Sequence, residues 1–331
     1  MNITYRNYVA QDVDQIIQFW NENSGWETTM DRSEFDLRFC SSPYGDPIMM
    51  LAVDNDVNGI VGLCCFLPAY VTVNGNDFKC YRPFGAVLKE SFRGKFGITS
   101  LLTGQHPILK LYHKGAIEAK EKEADLIYLI PDPRWSKLAR VMPFEVSRFP
   151  LWSYRFSNEV LSANAAKVEN MNSTDPSIDE LWQLSPKENL CMLTKNSGFY
   201  QWKINMRHGL YKLKGVYNAS RLIGVYTLHF KPQECQWVIG DLLTLNNDEK
   251  LMLTLQAACY ATQHELLQTQ TEIDKSYKLA ILATPVIEEK LKVIGFEKEN
   301  YNFNLAVHVL DKKGFSKSDI STEKWCIGAN D

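Results

Sequence analysis

The feature that most constrains this chain is an internal echo. Lys214-Gly215-Val216-Tyr217, the turn Asn218-Ala219-Ser220-Arg221 and the apolar run 222–228 repeat the pattern of 52–66. Residues 278–297 in turn repeat 126–145 as apolar strand, helix and strand, without obvious identity. The same order twice predicts one sheet-and-helix unit laid down twice. At 331 residues the chain is long enough for two ordinary domains, each able to bury its own core.

In the first copy, residues 3–8 read as a strand. Asp12 then opens a helix with apolar residues at 13, 16, 17 and 20, the spacing of one buried stripe. A second short helix is expected over 33–40, capped by Asp31 or Ser33. Apolar runs at 49–53 and 60–66 flank a turn of Asp, Asn and Gly, which predicts a central hairpin. Short strands at 71–73 and 78–82 lead to another at 84–88.

The stretch 84–102 carries the most chemistry. An apolar strand ends at Leu88, Arg93 to Gly97 forms a turn with two glycines, and a helix starts at Ile98. A helix N-terminus behind a glycine-bearing loop gathers backbone N–H groups where the dipole favours negative charge, which suits a phosphate. Gly94 and Gly97 let the main chain approach such a ligand, and Arg93 and Lys95 add positive charge. The competing reading is an ordinary turn with solvated cations. His106-Pro107 interrupts the following helix, which resumes to about residue 123. An apolar strand at 124–130, a short helix at 135–142 and one or two strands at 146–156 complete the copy.

This stretch resembles the acyl-CoA pyrophosphate loop of the GCN5-related N-acetyltransferase (GNAT) superfamily, with its pattern Arg/Gln-x-x-Gly-x-Gly/Ala after the fourth strand. Arg93-Gly94-Lys95 fits the opening. Phe96 stands where the next glycine is expected, and Gly97-Ile98 follows one place late, an insertion of one residue. The resemblance implies an acyl-CoA, acetyl-CoA above all, held by Val87, Leu88, Lys89, Arg93, Gly94, Lys95, Phe96, Gly97, Ile98 and Thr99, with the thioester in a gap between two parting strands. It implies direct attack of a neutral amine, Glu90 as the base, and the loop residues Trp26 and Glu27 as candidates to line the acceptor site. The superfamily's usual acid is a tyrosine five residues before the Phe at the end of the short helix, where Ala139 stands here. Tyr128, Tyr112 or a water then supplies the proton, or the thiolate leaves unassisted; Tyr128, beside the expected thioester, is the named candidate.

The second copy is shorter, and the loss falls on the loop. The run 237–245 passes through Asn246-Asn247-Asp248-Glu249 straight into a helix from Lys250. Acidic residues there suit the helix dipole but repel a pyrophosphate. Polar residues 157–178 read as a linker. The layout resembles two-domain acetyltransferases found beside bacterial polysaccharide genes. It implies an α/β (α+β) protein of two tandem GNAT-like domains, each a mixed, mostly antiparallel sheet flanked by helices: 1–156 with the acyl-CoA loop, and a degenerate 179–331. The implied partner is a small-molecule amine, an amino sugar or nucleotide sugar, with a homodimer left open. A non-catalytic acyl-CoA sensor or scaffold, and an aminoacyl transferase using charged tRNA, are the competing classes.

Composition bounds these readings. A net charge of −3 with no basic tract argues against a nucleic-acid partner. No apolar run is long enough to span a bilayer, and no apolar signal core follows the N-terminus, so the cytoplasm is the expected compartment. Eight cysteines sit mostly in apolar runs without Cys-x-x-Cys spacing and read as small buried hydrophobes. The six histidines form no pair at ligand spacing, so no metal is expected.

Overall fold

The computed structural model describes residues 2–25, 29–96, 98–131, 142–159, 161, 166–206, 209–269, 276–311 and 314–329. They form two compact units, one of residues 1–71, 77–146 and 305–314, the other of 72–76, 147–304 and 315–331.

Unit 1 begins with β1 (Ile3–Asn7), α1 (Val13–Asn23) and α2 (Arg32–Phe35). Then come β2 (Ile48–Asp54), β3 (Gly59–Val73) and β4 (Asn76–Leu88). The helical turn α3 (Glu90–Arg93), short α4 (Ile98–Leu102), α5 (Pro107–Glu121) and β5 (Leu126–Leu129) follow. β6 (Glu145–Arg155) carries the chain into unit 2, which holds β7 (Ala166–Asn170), α6 (Ser177–Leu184), β8 (Cys191–Leu193), α7 (Ser197–Met206), β9 (Lys212–Asn218) and β10 (Arg221–Lys231). Next are β11 (Gln236–Thr244), α8 (Asp248–Thr269), β12 (Lys278–Leu282) and α9 (Pro285–Ile294). β13 (Glu297–Val309) ends in unit 1, and β14 (Trp325–Cys326) lies in unit 2.

The strand order in unit 1 is β1-β2-β3-β4-β5-β13, with β4 and β5 parallel and β13 antiparallel to β5. In unit 2 it is β7-β9-β10-β11-β12-β6, with β11 and β12 parallel and β6 antiparallel to β12. The echo in the sequence is thus an echo of topology. The final place is exchanged: β13, which follows β12 in the chain, closes unit 1, and β6, which follows β5, closes unit 2. β5 needs such a partner, since Leu126, Ile127 and Tyr128 are all buried and an open edge on so apolar a strand invites aggregation.

The core of unit 1 lies between the sheet and α5, which buries Ile108, Leu109, Leu111 and Tyr112; each such side chain contributes about 1.5–3 kcal/mol. α1 packs on the opposite face through the stripe Val13, Ile16, Phe19 and Trp20. Asp12 does not bond the helix end with its side chain. Its carboxylate instead takes a two-pronged bond from Arg6, at 2.6 and 2.7 Å, and one from the Val9 N–H at 2.8 Å. Asp31 is the cap of α2, accepting from the Glu34 N–H at 2.8 Å.

Three local readings change. The pieces expected at 60–66, 71–73, 78–82 and 84–88 are two long strands, β3 and β4, joined at Asn74-Gly75, both with positive φ, the geometry that matches strand twist in a two-residue hairpin turn. The bend expected at 93–97 begins earlier, because Glu90–Arg93 winds into a helical turn. Within the polar stretch 157–178, Ala166–Asn170 form β7 against β9, with Ala166 buried. The helix expected at 135–142 falls, apart from Met142, outside the described residues.

Candidate acyl-transfer site

The site builds from β4 and β5. Their parallel ladder is registered at Cys80–Leu126 and Tyr81–Ile127, while β4 runs on to Leu88 and β5 to Leu129. Among the described residues, the register between the two strands covers one end only, and β4 runs on seven residues past Tyr81. Gly85 sits in that stretch of β4 with φ +62°, a conformation that breaks the regular ladder. A Cβ there would come within 2.4 Å of the Trp20 ring. Trp20 stacks on Phe84 at 6.1 Å and meets Phe39 edge-on at 5.7 Å, so α1 clamps β4 at its distorted point.

Beyond the strand, Val87 and Leu88 are buried and Lys89 is exposed. Glu90 is exposed at the first position of α3, its N–H bonded to Asn23 Oδ1 at 3.2 Å. Arg93 does not stand free at the loop mouth. Its guanidinium donates to Leu88 O at 3.0 Å and to Asn23 O, tying the loop to the end of α1. The N–H groups of Phe92, Arg93 and Lys95 bond back to Lys89 O and Phe92 O, and Lys95 lies 4.6 Å over the Phe92 ring. Phe96 packs against the unit 1 core and meets His106 edge-on at 5.8 Å. It is thus an apolar anchor for the loop. Thr99 is exposed in the first turn of α4. Trp26, Glu27 and Gly97 lie outside the described residues, as does the side chain of Ile98.

Tyr128 is buried on β5, opposite Val307 of β13. By strand alternation it faces away from Ile127, which belongs to the core beneath α5. Tyr112, on α5, is hydrogen-bonded through its hydroxyl to His308 Nδ1 at 2.8 Å. Burial pushes the Tyr112 phenol well above its ordinary range. Burial, and to a smaller extent His113, lower His308. The sequence named Tyr112 as a proton source but gave His308 no role; nothing in the spacing of residues 112 and 308 signals that β13 closes unit 1.

Unit 2 treats the equivalent place differently. β11 pairs with β12 from Gln236 to Ile239, and the register with β10 then shifts around Gly240-Asp241. The tail packs there so closely that a Cβ on Gly328 would lie 2.0 Å from Gly240 O. The α8 N-terminus is also spoken for. Asn247 Oδ1 accepts from the Glu249 and Lys250 N–H groups, and Asp248 pairs with Lys290 at 3.1 Å. Among the described residues no group of three or more His, Cys, Asp or Glu side chains could hold a metal ion, and no helix is long and apolar enough to cross a membrane.

This arrangement is the GCN5-related N-acetyltransferase fold, a mixed sheet whose middle strands diverge. A GCN5-related N-acetyltransferase from Anabaena variabilis superposes with a TM-score of 0.67 at 11% identity, over 94% of this chain and 73% of that one. An N-myristoyltransferase from Saccharomyces cerevisiae, solved with bound myristoyl-CoA, gives 0.56 at 9% identity, over 92% and 82%. The GCN5-related glucosamine N-acetyltransferase region of a fungal multi-domain beta-N-acetylglucosaminidase gives 0.54 at 11% identity, over 93% and 38%. No protein-family model and no curated protein sequence matches the chain.

Proposed function

We propose that unit 1 binds an acyl-CoA in the parting between β4 and β5 and transfers its acetyl group to a primary amine, an amino sugar or nucleotide-linked amino sugar. The observation that carries this reading is Gly85, at φ +62°, in the part of β4 beyond the register that β4 and β5 share at Cys80–Leu126 and Tyr81–Ile127 among the described residues. Diverging strands can take the amides of a pantetheine arm as they would an added strand. The first-turn N–H groups of α4 then serve the pyrophosphate.

In the reaction Glu90 takes a proton from the ammonium, and the freed amine attacks the thioester carbonyl. Backbone N–H groups of β4 receive the oxyanion. Once the C–N bond has formed the nitrogen loses a second proton to solvent, and as the C–S bond breaks Tyr128 gives its proton to the thiolate and regains one from solvent. Tyr112, its hydroxyl bonded to His308 Nδ1, is the alternative donor. Unit 2, with the tail against its equivalent strand, carries no second acyl-CoA. The glucosamine N-acetyltransferase among the similar structures supports an amino sugar as acceptor.

A non-catalytic acyl-CoA-binding module is the second reading, favoured by loop amides already bonded within the loop. Labelled acetyl-CoA incubated with a panel of amines separates the two. Transfer to an amino sugar, reduced about a hundredfold or more in Tyr128→Phe or Tyr112→Phe, supports the enzyme. Binding without turnover on any amine refutes it.

A further inference from the structure

Unit 2 contains a cavity of ≈ 420 Å³, within the range of small-molecule sites. Its floor is one face of the sheet. Leu279 and Ile281 of β12 enter the core beneath α8 and α9, so by alternation Lys278 faces the other way. In the same row Lys231, Gln236 and Lys278 stand side by side on β10, β11 and β12, and His229 faces Val238 in the next. Glu299 and Tyr301 of β13 complete the wall.

The charges of this cavity are balanced. Lys278 meets Glu299 at 2.9 Å, and Ser153 Oγ donates to the same carboxylate oxygen at 2.5 Å. Lys231 lies 3.6 Å from Glu234. The bonds from Ser153 and Lys278 hold the Glu299 carboxyl below its ordinary range. A nucleotide or phosphate would call for surplus positive charge, and a lipid for a lining without charged pairs such as Lys278–Glu299. Donors and acceptors in equal measure suit hydroxyls, which do both. Tyr301 is 41% exposed and meets Phe303 edge-on at 5.0 Å, a platform for the C–H face of a ring.

We propose that this cavity is a carbohydrate site that takes a hexosamine, its ring on Tyr301, its hydroxyls shared between Lys278 and His229, and its amino group beside Glu299. The sugar assignment stands on the cavity alone; that the sugar is an amine rests on the proposed function.

The test is ligand-observed NMR and calorimetry on the full chain with glucosamine, glucose, inorganic pyrophosphate and, separately, acetyl-CoA. The expected result is glucosamine binding that weakens at least tenfold in Tyr301→Ala, an exposed position whose thermal midpoint should stay at the wild-type value. Glucose should bind more weakly, and Glu299→Gln should erase the difference. No sugar binding, equal binding by Tyr301→Ala, or preference for pyrophosphate overturns the site. Equal affinity for glucose and glucosamine in the wild type overturns the amine. If acetyl-CoA binds and no sugar does, the cavity proposal alone fails; if the sugar binds and acetyl-CoA does not, the acyl-transfer reading fails and the cavity stands.

Discussion

Gly85 shows what one residue contributes to a strand that must part from its neighbour. At φ +62° and with the Trp20 ring 2.4 Å from any Cβ, Gly85→Ala pays for both backbone strain and overpacking. A loss of about 2–4 kcal/mol is expected, read from urea unfolding; a wild-type midpoint would show that Trp20 does not clamp β4. Two histidines make stability depend on pH. Burial lowers both His106 and His308 from the ordinary 6.5, and His106 Nδ1 accepts from the Ile108 N–H to cap α5, a bond that needs the neutral ring. Because the folded state holds its proton less tightly, the unfolded state takes one up first as pH falls. Stability present above about 6.5 is then lost below it. Unfolding midpoints should drop between about pH 7.5 and 5.5, and less steeply in His308→Gln; identical slopes would contradict this. Neither feature was visible in the sequence, where Gly85 looked like any small residue in an apolar run.

At the level of elements, most of the order was legible. Alternation and turn residues mark the 52–66 and 214–228 hairpins, and His106-Pro107 marks the break between α4 and α5. What composition hid was distance. The polar residues of β7 gain strand structure only by pairing with β9, and the α3 turn is set by Asn23 and Lys89 rather than by its own residues. The bulged end of β11 shows the same dependence. Asp241 and Lys195, each 1% exposed, lie 3.5 Å apart, and Thr227 bonds the Asp241 side chain and N–H. Removing one member leaves the other charged in a buried place, so Asp241→Ala should cost about 3–5 kcal/mol. Chemical denaturation checks it; a change under 1 kcal/mol would mean that the pair behaves as a surface contact.

For the whole molecule, the repeat foretold one strand order laid down twice, while the exchange of β6 and β13 was beyond reach of any contiguous reading. Residues 305–314 belong to unit 1, and their strand pairs with β5 from Leu126 to Leu129. A fragment ending at residue 156 therefore exposes the apolar edge of β5 and loses the His308 bond to Tyr112. It should fail to give cooperative unfolding or dispersed amide resonances, whereas the full chain gives both. A well-folded fragment would show that β13 is dispensable to unit 1.

The functional reading depends on one unit offering an acyl-CoA site and the other not. Calorimetric titration of acetyl-CoA into the full chain, beside Thr99→Glu, tests this most directly, since Thr99 is exposed in the first turn of α4 and a carboxylate there repels a diphosphate. One molecule bound per chain, with affinity at least tenfold lower in the variant, about 1.4 kcal/mol, is the predicted result. No binding by the wild type, two molecules per chain, or an affinity unmoved by Thr99→Glu would contradict it.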